Sequence, residues 1–364
     1  MNMSSRERVE AAFLHKEPDR TPIFEYILLS PVAESFLGRR YVDFCGQWSM
    51  WLALAKEQGY EKSMRQYARE RVELAEVLGH DLLYCMLSPT AKEVEQAGHP
   101  EKEVPYCEDP VEAVRLRNRS HQTLVREQLD DQRYLGYVYI REEMENRGID
   151  LPIYAPAFTH GVWSDTDLMQ TMLLDPGTAS EHFSLMTIQA LNIIKGYEEL
   201  GIDIIGIGGD FAGNRPIISP QAYREFIMPE IRTLADTIHK LGRYACNASD
   251  GNLWDVLDDF LIGTGVDAYG EVDQGAGMDL ARLKKEYGDR IVFVGNMDCG
   301  QVLSYESPEA IAKMTIRCLE DGWGGGGHLF TASNAITASV PLPNYLSMLN
   351  AYKDFFGLAR LKLI

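Results

Sequence analysis

From residue 152 onward, short apolar runs alternate with longer amphipathic stretches. The runs are PIYAPAF, IDIIGIGG, GRYACNA, VDAYGEV, RIVFVGN and GHLFTA. Between them, residues 176–200, 219–241, 252–264, 278–288 and 307–321 repeat their apolar positions at helical spacing. Ser219-Pro220 and Ser307-Pro308 place an N-cap residue before a proline that suits a first helical turn. Strands alternating with helices predict parallel strands joined by crossovers. Two earlier runs, TPIFEYI (21–27) and DLLYCML (81–87), raise the count to eight. Eight is the number that closes an α/β barrel of the (β/α)8 TIM type. An open doubly wound sheet would carry a glycine-rich phosphate turn after an early strand, and none is present. The four glycines at 324–327 precede a strand, not a helix.

The rest of the chain elaborates this barrel, and residues 1–364 are expected to form one domain. SSRERVEAAFLHKEPDR predicts a short helix capped by Ser4 or Ser5, so 1–20 and 31–79 form a helical cap. Residues 88–150 are the most polar part, with a helix over 110–130, and offer too little apolar surface to fold alone.

Charge narrows the function classes. The 364 residues carry a formal net charge of −19, which disfavours nucleic acid and anionic membrane surfaces as partners. No apolar run reaches the roughly 18 residues of a membrane span, and charges occupy the place where a secretory signal needs an apolar core. A cytoplasmic location follows as the expectation. The six cysteines (45, 85, 107, 246, 299 and 318) are dispersed without a CxxC, which predicts reduced thiols.

In such a barrel chemistry gathers at the C-terminal strand ends. Those ends read Glu25 and Tyr26; Tyr84 and Cys85; Thr159 and His160; Asp210; Asp250; Glu271 and Asp273; Asn296, Asp298 and Cys299; Ser333 and Asn334. Some are ordinary turn-formers, since Asp and Asn favour helix caps. Strand alternation puts Tyr244, Cys246, Ala248 and Asp250 on one face, and Asp267, Tyr269, Glu271 and Asp273 on another. If both faces point inward, Asp250, Glu271 and Asp273 converge and need a cation, a proton or an arginine among them. Cys299, beside Asp298, suits a zinc ligand as well as a packed thiol. His160 reads as a ligand, a proton donor or a structural hydrogen-bonder. Arg215 reads as a carboxylate clamp or a neutraliser of Asp210.

Four segments, SSRERVEAAFLHKEPDRTPIFEY, DIIGIGGDFAGNRPIISPQAYREFIMPEI, GMDLARLKKEYGDRIVFVGNMDCG and GGGGHLFTASNAITASVPLPNYLSML, resemble the uroporphyrinogen decarboxylase superfamily. The resemblance implies a TIM-type barrel. Decarboxylases acting on uroporphyrinogen carry an arginine-rich segment after the first strand, where this chain reads EYILLSP. Coenzyme M methyltransferases hold zinc with His-x-Cys and a later Cys, whose places here fall on Ala248, Asp250 and near Asn334. The SDGN, AGMDL, GNMDC and ASNAI segments are most similar to methyltransferases that demethylate methoxylated aromatics onto a corrinoid protein. In that branch an acid–Cys–Cys zinc pattern places its first two ligands on Glu271 and Cys299, and its third on Ser339.

The resemblance therefore implies a corrinoid-protein-dependent methyltransferase with zinc, held by Glu271 and Cys299, as Lewis acid. Asp250, Asp273 and His160 are the expected catalytic groups, and Asn334, Arg215, Asp210 and Tyr26 the expected substrate contacts. A decarboxylase of a small carboxylic acid, and a non-catalytic binding barrel with a degenerate metal site, remain the alternatives.

Overall fold

A computed structural model describes residues 3–97, 107–125 and 129–361. Seven parallel strands follow one another in chain order around a curled sheet. They are β1 (Leu83–Tyr84), β2 (Ile153–Thr159), β3 (Ile204–Gly208), β4 (Tyr244–Ala248), β5 (Ala268–Gly270), β6 (Val292–Val294) and β7 (His328–Leu329). The eighth expected strand, 21–27, is present as an extended segment making isolated bridges, Ile23 with Phe330 and Leu28 with Ile336. It still closes the ring. Phe24 N–H donates to Phe330 O on one side (3.2 Å), and Asp81 N–H donates to Ile23 O on the other (2.7 Å). Pro22 has no N–H to offer a ladder, which limits the pairing to single bridges.

Side chains stitch this seam at both ends. At its base, fully buried Asp81 accepts from Arg8 Nη1 (2.6 Å), from Arg20 Nη1 (2.6 Å) and from Ile23 N–H (3.0 Å). At its top, buried Arg71 donates to the carbonyls of Tyr26 (3.1 Å) and Tyr84 (2.5 Å).

Two apolar layers result. Inside the ring lie Phe24, Tyr26, Leu82, Tyr154, Ile204, Cys246, Ala268 and Val292, plugged from below by Val9, Ala12 and Phe13 of the helix Ser5–Phe13. Phe13 stacks on Tyr244 with ring centroids 4.2 Å apart. Ser4 accepts from Glu7 N–H while the Glu7 carboxylate accepts from Ser4 N–H, a reciprocal cap. Ser4→Ala should therefore cost about 1 kcal/mol, read as a lower urea midpoint at unchanged slope. The larger outer layer packs the strands against the helices.

Most expected helices occur, including Pro176–Leu200, Leu280–Tyr287 and Pro308–Gly322. Residues 31–79 supply Val32–Leu37, Trp48–Gln58 and Tyr60–Leu78. The 110–130 helix runs over Pro110–Leu124, and 98–106 and 126–128 of the polar stretch lie outside the described residues. The expected helix 252–264 is reduced to its last turns, ending in a wide π-type turn at Asp259–Gly263. Its start is diverted because the Asn252 side chain accepts from Trp254 N–H (3.2 Å), a local turn that competes with helix initiation. Among the described residues no helix is long and apolar enough to cross a membrane.

Candidate active site

The loops leaving β3, β4 and β5 each deliver one carboxylate to a common point. Asp210, Asp250 and Glu271 each present an oxygen within 4.8 Å of the other two, and all three are partly buried. Asp250 N–H donates to Asp210 Oδ1 at 2.9 Å, locking the first two loops together. Gly251 makes this approach possible. Its φ is +89°, and a Cβ there would lie 2.3 Å from Ala212 O, so only glycine lets the loops meet.

Glu271 arrives by a route that simple alternation does not give. On β5 it is Ala268 that joins the interior layer, and a Cβ on Gly270 would meet Tyr26 Oη at 3.1 Å. Tyr269, expected inside, packs outward instead against Phe260 (5.2 Å) and Phe293 (6.4 Å). Continued alternation would also turn Glu271 away. The backbone prevents this with two consecutive left-handed residues, Glu271 at φ +84° and Val272 at φ +42°. Each costs about 1 kcal/mol or more, and such strain concentrates at functional sites.

Among the described residues, no Lys, Arg or His nitrogen lies within 4.0 Å of any carboxylate of Asp210, Asp250, Glu271, Asp273 or Asp298. Burial, then the charges of Asp210 and Asp273, push Asp250 up to about 6. Burial, then Asp250, Asp210 and Asp273, raise Glu271 well above the usual carboxylate range.

The other sequence-selected residues scatter around this core. Asp273 Oδ2 accepts from Gly251 N–H (3.1 Å) and Oδ1 from Ala276 N–H (3.0 Å), so it braces the loop. Exposed Asn334 donates to Asp250 Oδ2 at 3.4 Å. Tyr26 is only 9% exposed, and its hydroxyl has no hydrogen-bond partner among the described residues. His160 is buried with Nδ1 accepting from Val162 N–H (3.3 Å), and burial lowers its pKa to about 4, so it is neutral and held by backbone. Arg215 is exposed; its carbonyl accepts from Gly213 N–H, and its guanidinium makes no ion pair with Asp210. Cys299 lies outside the carboxylate group. Its sulfur is 3.6 Å from Ser333 Oγ, and burial raises the thiol above its ordinary range. Asp210, read from the sequence as a substrate contact, is the member of the group that spacing did not mark; its signal was the position two residues past an all-apolar strand.

Glu25, the strand neighbour of Tyr26, is buried on the outer side. Oε2 accepts from Ala332 N–H and Thr331 Oγ1 (both 3.3 Å), while burial pushes the carboxyl up to about 8. The folded state thus holds this proton more tightly than the unfolded chain. Stability should fall as pH rises from about 4.5 to 8, by at most roughly 1.4 kcal/mol per unit. Urea unfolding at several pH values should show that slope in wild type and lose it in Glu25→Gln.

The family model for uroporphyrinogen decarboxylase (URO-D) matches residues 163–355, more than half of the sequence and all of the loops that carry the acid cluster. This chain belongs to the uroporphyrinogen decarboxylase family. Among curated relatives, the uroporphyrinogen decarboxylase of Coxiella burnetii is 26% identical over 204 residues, 54% of each chain. That of Chlorobaculum parvum is 25% identical over 247 residues, covering 62% of this chain and 66% of that one. The chain thus spans little more than half the length of the curated relatives it matches. A solved methyltransferase from Methanosarcina mazei aligns over 97% of this chain and 99% of its own, with a TM-score of 0.68 at 16% identity. The same fold therefore extends across nearly the whole molecule, including the N-terminal segments outside the matched region.

Proposed function

We propose that this chain transfers a methyl group from a small methoxylated aromatic compound to the Co(I) of a separate corrinoid protein. One observation carries the reading: three carboxylates meet at the barrel mouth with no basic residue beside them among the described residues. A polycarboxylate entering such a mouth would be repelled, whereas a neutral ether would not.

The chemical difficulty is the leaving group. The methyl–oxygen bond breaks, its electron pair stays on oxygen, and cobalt supplies the pair for the new bond to carbon. Carboxylates this close must share a proton or a cation, and a proton delivered to the departing oxygen is worth about 10²–10⁴-fold. Asn334 steadies Asp250, and the Asp250 N–H steadies Asp210, so the acid is positioned by its own loops. The zinc set of Glu271 with Cys299 does not fit, because the Cys299 sulfur lies outside the carboxylate group.

The test mixes the purified chain with a corrinoid protein reduced to Co(I) and a panel of methoxyaromatics. Loss of the Co(I) absorbance with release of one phenol per methyl supports the reading. Persistence of Co(I) across the panel sinks it, and carbon dioxide evolved from a small acid without corrinoid would establish a decarboxylase instead.

A further inference from the structure

Beyond the methyl transfer, the same mouth presents an unusual donor set: oxygen atoms from three loops, with sulfur kept outside. The Asp210, Asp250 and Glu271 oxygens lie within 4.8 Å of one another. Three oxygens bonded to one small divalent ion at about 2.1 Å are mutually at most about 3.6 Å apart, so the carboxylates would close in by up to about 1.2 Å on binding.

A second observation, independent of the acids, points to the same ligand. The Tyr26 hydroxyl is more than nine-tenths buried and unpartnered among the described residues, an arrangement that costs about 1–3 kcal/mol unless something fills it. It lies 3.1 Å from where a Cβ of Gly270 would stand, at the residue before Glu271, and the Glu271 carboxylate is near enough for its charge to act on it. Tyr26 also packs edge-on against Tyr84 at 5.1 Å, which fixes the ring and hence the direction of its oxygen. Strain points the same way, because the paired left-handed residues at 271–272 hold Glu271 among its like-charged neighbours.

We propose that Asp210, Asp250, Glu271 and the Tyr26 hydroxyl form an oxygen-only site for a hard divalent cation of the magnesium or manganese class. Carboxylates without thiolate or imidazole select that class over zinc by ligand type. The phenol remains protonated and binds as a neutral donor. This inference concerns the same carboxylates as the proposed reaction but does not require that reaction: the cation and the shared proton are alternative occupants of one cluster, and a loaded site would polarise the departing oxygen where the unloaded one protonates it.

The experiment titrates Mn²⁺ into the chelator-stripped full chain and follows loss of the free-ion paramagnetic resonance signal. One ion per chain is expected. Affinity should drop about tenfold or more in Glu271→Gln and in Asp210→Asn, and severalfold in Tyr26→Phe, with Cys299→Ser binding as wild type does. Co²⁺ bound in the same site should show no sulfur-to-metal charge-transfer absorption. Absence of Mn²⁺ binding at millimolar concentration overturns the proposal. So does loss of binding in Cys299→Ser with a sulfur band in the wild-type Co²⁺ spectrum, which would mark a thiolate site. Circular dichroism melts confirm folding, and Asp210→Asn carries the comparison from a different loop if Glu271→Gln does not fold. A chain that binds Mn²⁺ yet methylates no corrinoid would retain this site while losing the methyl-transfer reading.

Discussion

Replacing Glu271 with Gln is expected to lower methyl transfer to corrinoid by about 10²–10⁴-fold, with a melting temperature no lower than that of wild type. The substitution keeps the size and reach of the side chain, so the loop after β5 loses no packing. What it removes is an ionisable oxygen pair from a place where three carboxylates already crowd. A structural residue behaves the opposite way, losing stability first and activity only as a result. The separation of the two readouts is the discriminating feature, because catalytic positions are commonly occupied at some expense to stability. A Glu271→Gln protein that melts lower and keeps its rate would remove the carboxylate group from the mechanism.

The second large effect lies far from the chemistry. Asp81→Ala should destabilise the fold by about 3–5 kcal/mol, because it strands the Arg8 and Arg20 guanidiniums in a buried site. Arg8 is 5% exposed and Asp81 0%. Arg8 would keep Asp19, which binds its Nε at 2.6 Å, but Arg20 would retain only the Tyr352 hydroxyl at 2.7 Å. The backbone N–H of Ile23 would also lose its acceptor. A surface pair is the internal control: Arg65–Glu142, both about half exposed, should cost under about 1 kcal/mol when Glu142 becomes Ala. Chemical denaturation of the two variants side by side gives the comparison.

Much of this architecture was legible in the pattern of the sequence. Period-2 apolar runs and Ser-Pro helix starts locate the strands and helices, since both signals are local. The exceptions share a cause, which is tertiary geometry overriding local pattern. Segment 21–27 pairs only at single bridges because Pro22 removes a donor. Residues 252–256 turn instead of starting a helix because the Asn252 side chain captures a backbone N–H. Tyr269 faces out because β5 enters the ring one residue out of phase with the expected face. At the site, convergence of acids at the strand ends could be read from the sequence. The inward turn of Glu271 could not, because it depends on two positive φ angles at residues whose types do not favour them. Cys299 stood at the right distance along the chain, but sequence spacing does not report direction, and its sulfur turns to Ser333.

The seam has a consequence for how the molecule is made. Glu25 and Ala332, more than three hundred positions apart at |i−j| 307, are hydrogen-bonded across it. A ribosome therefore releases the segment around Ile23 long before the strand that must flank it exists. Until His328–Leu329 emerges, Pro22 to Leu28 has one neighbour where the finished ring gives it two. Closure of the cylinder is in this sense a late, long-range event, and assembly of the acidic mouth waits upon it.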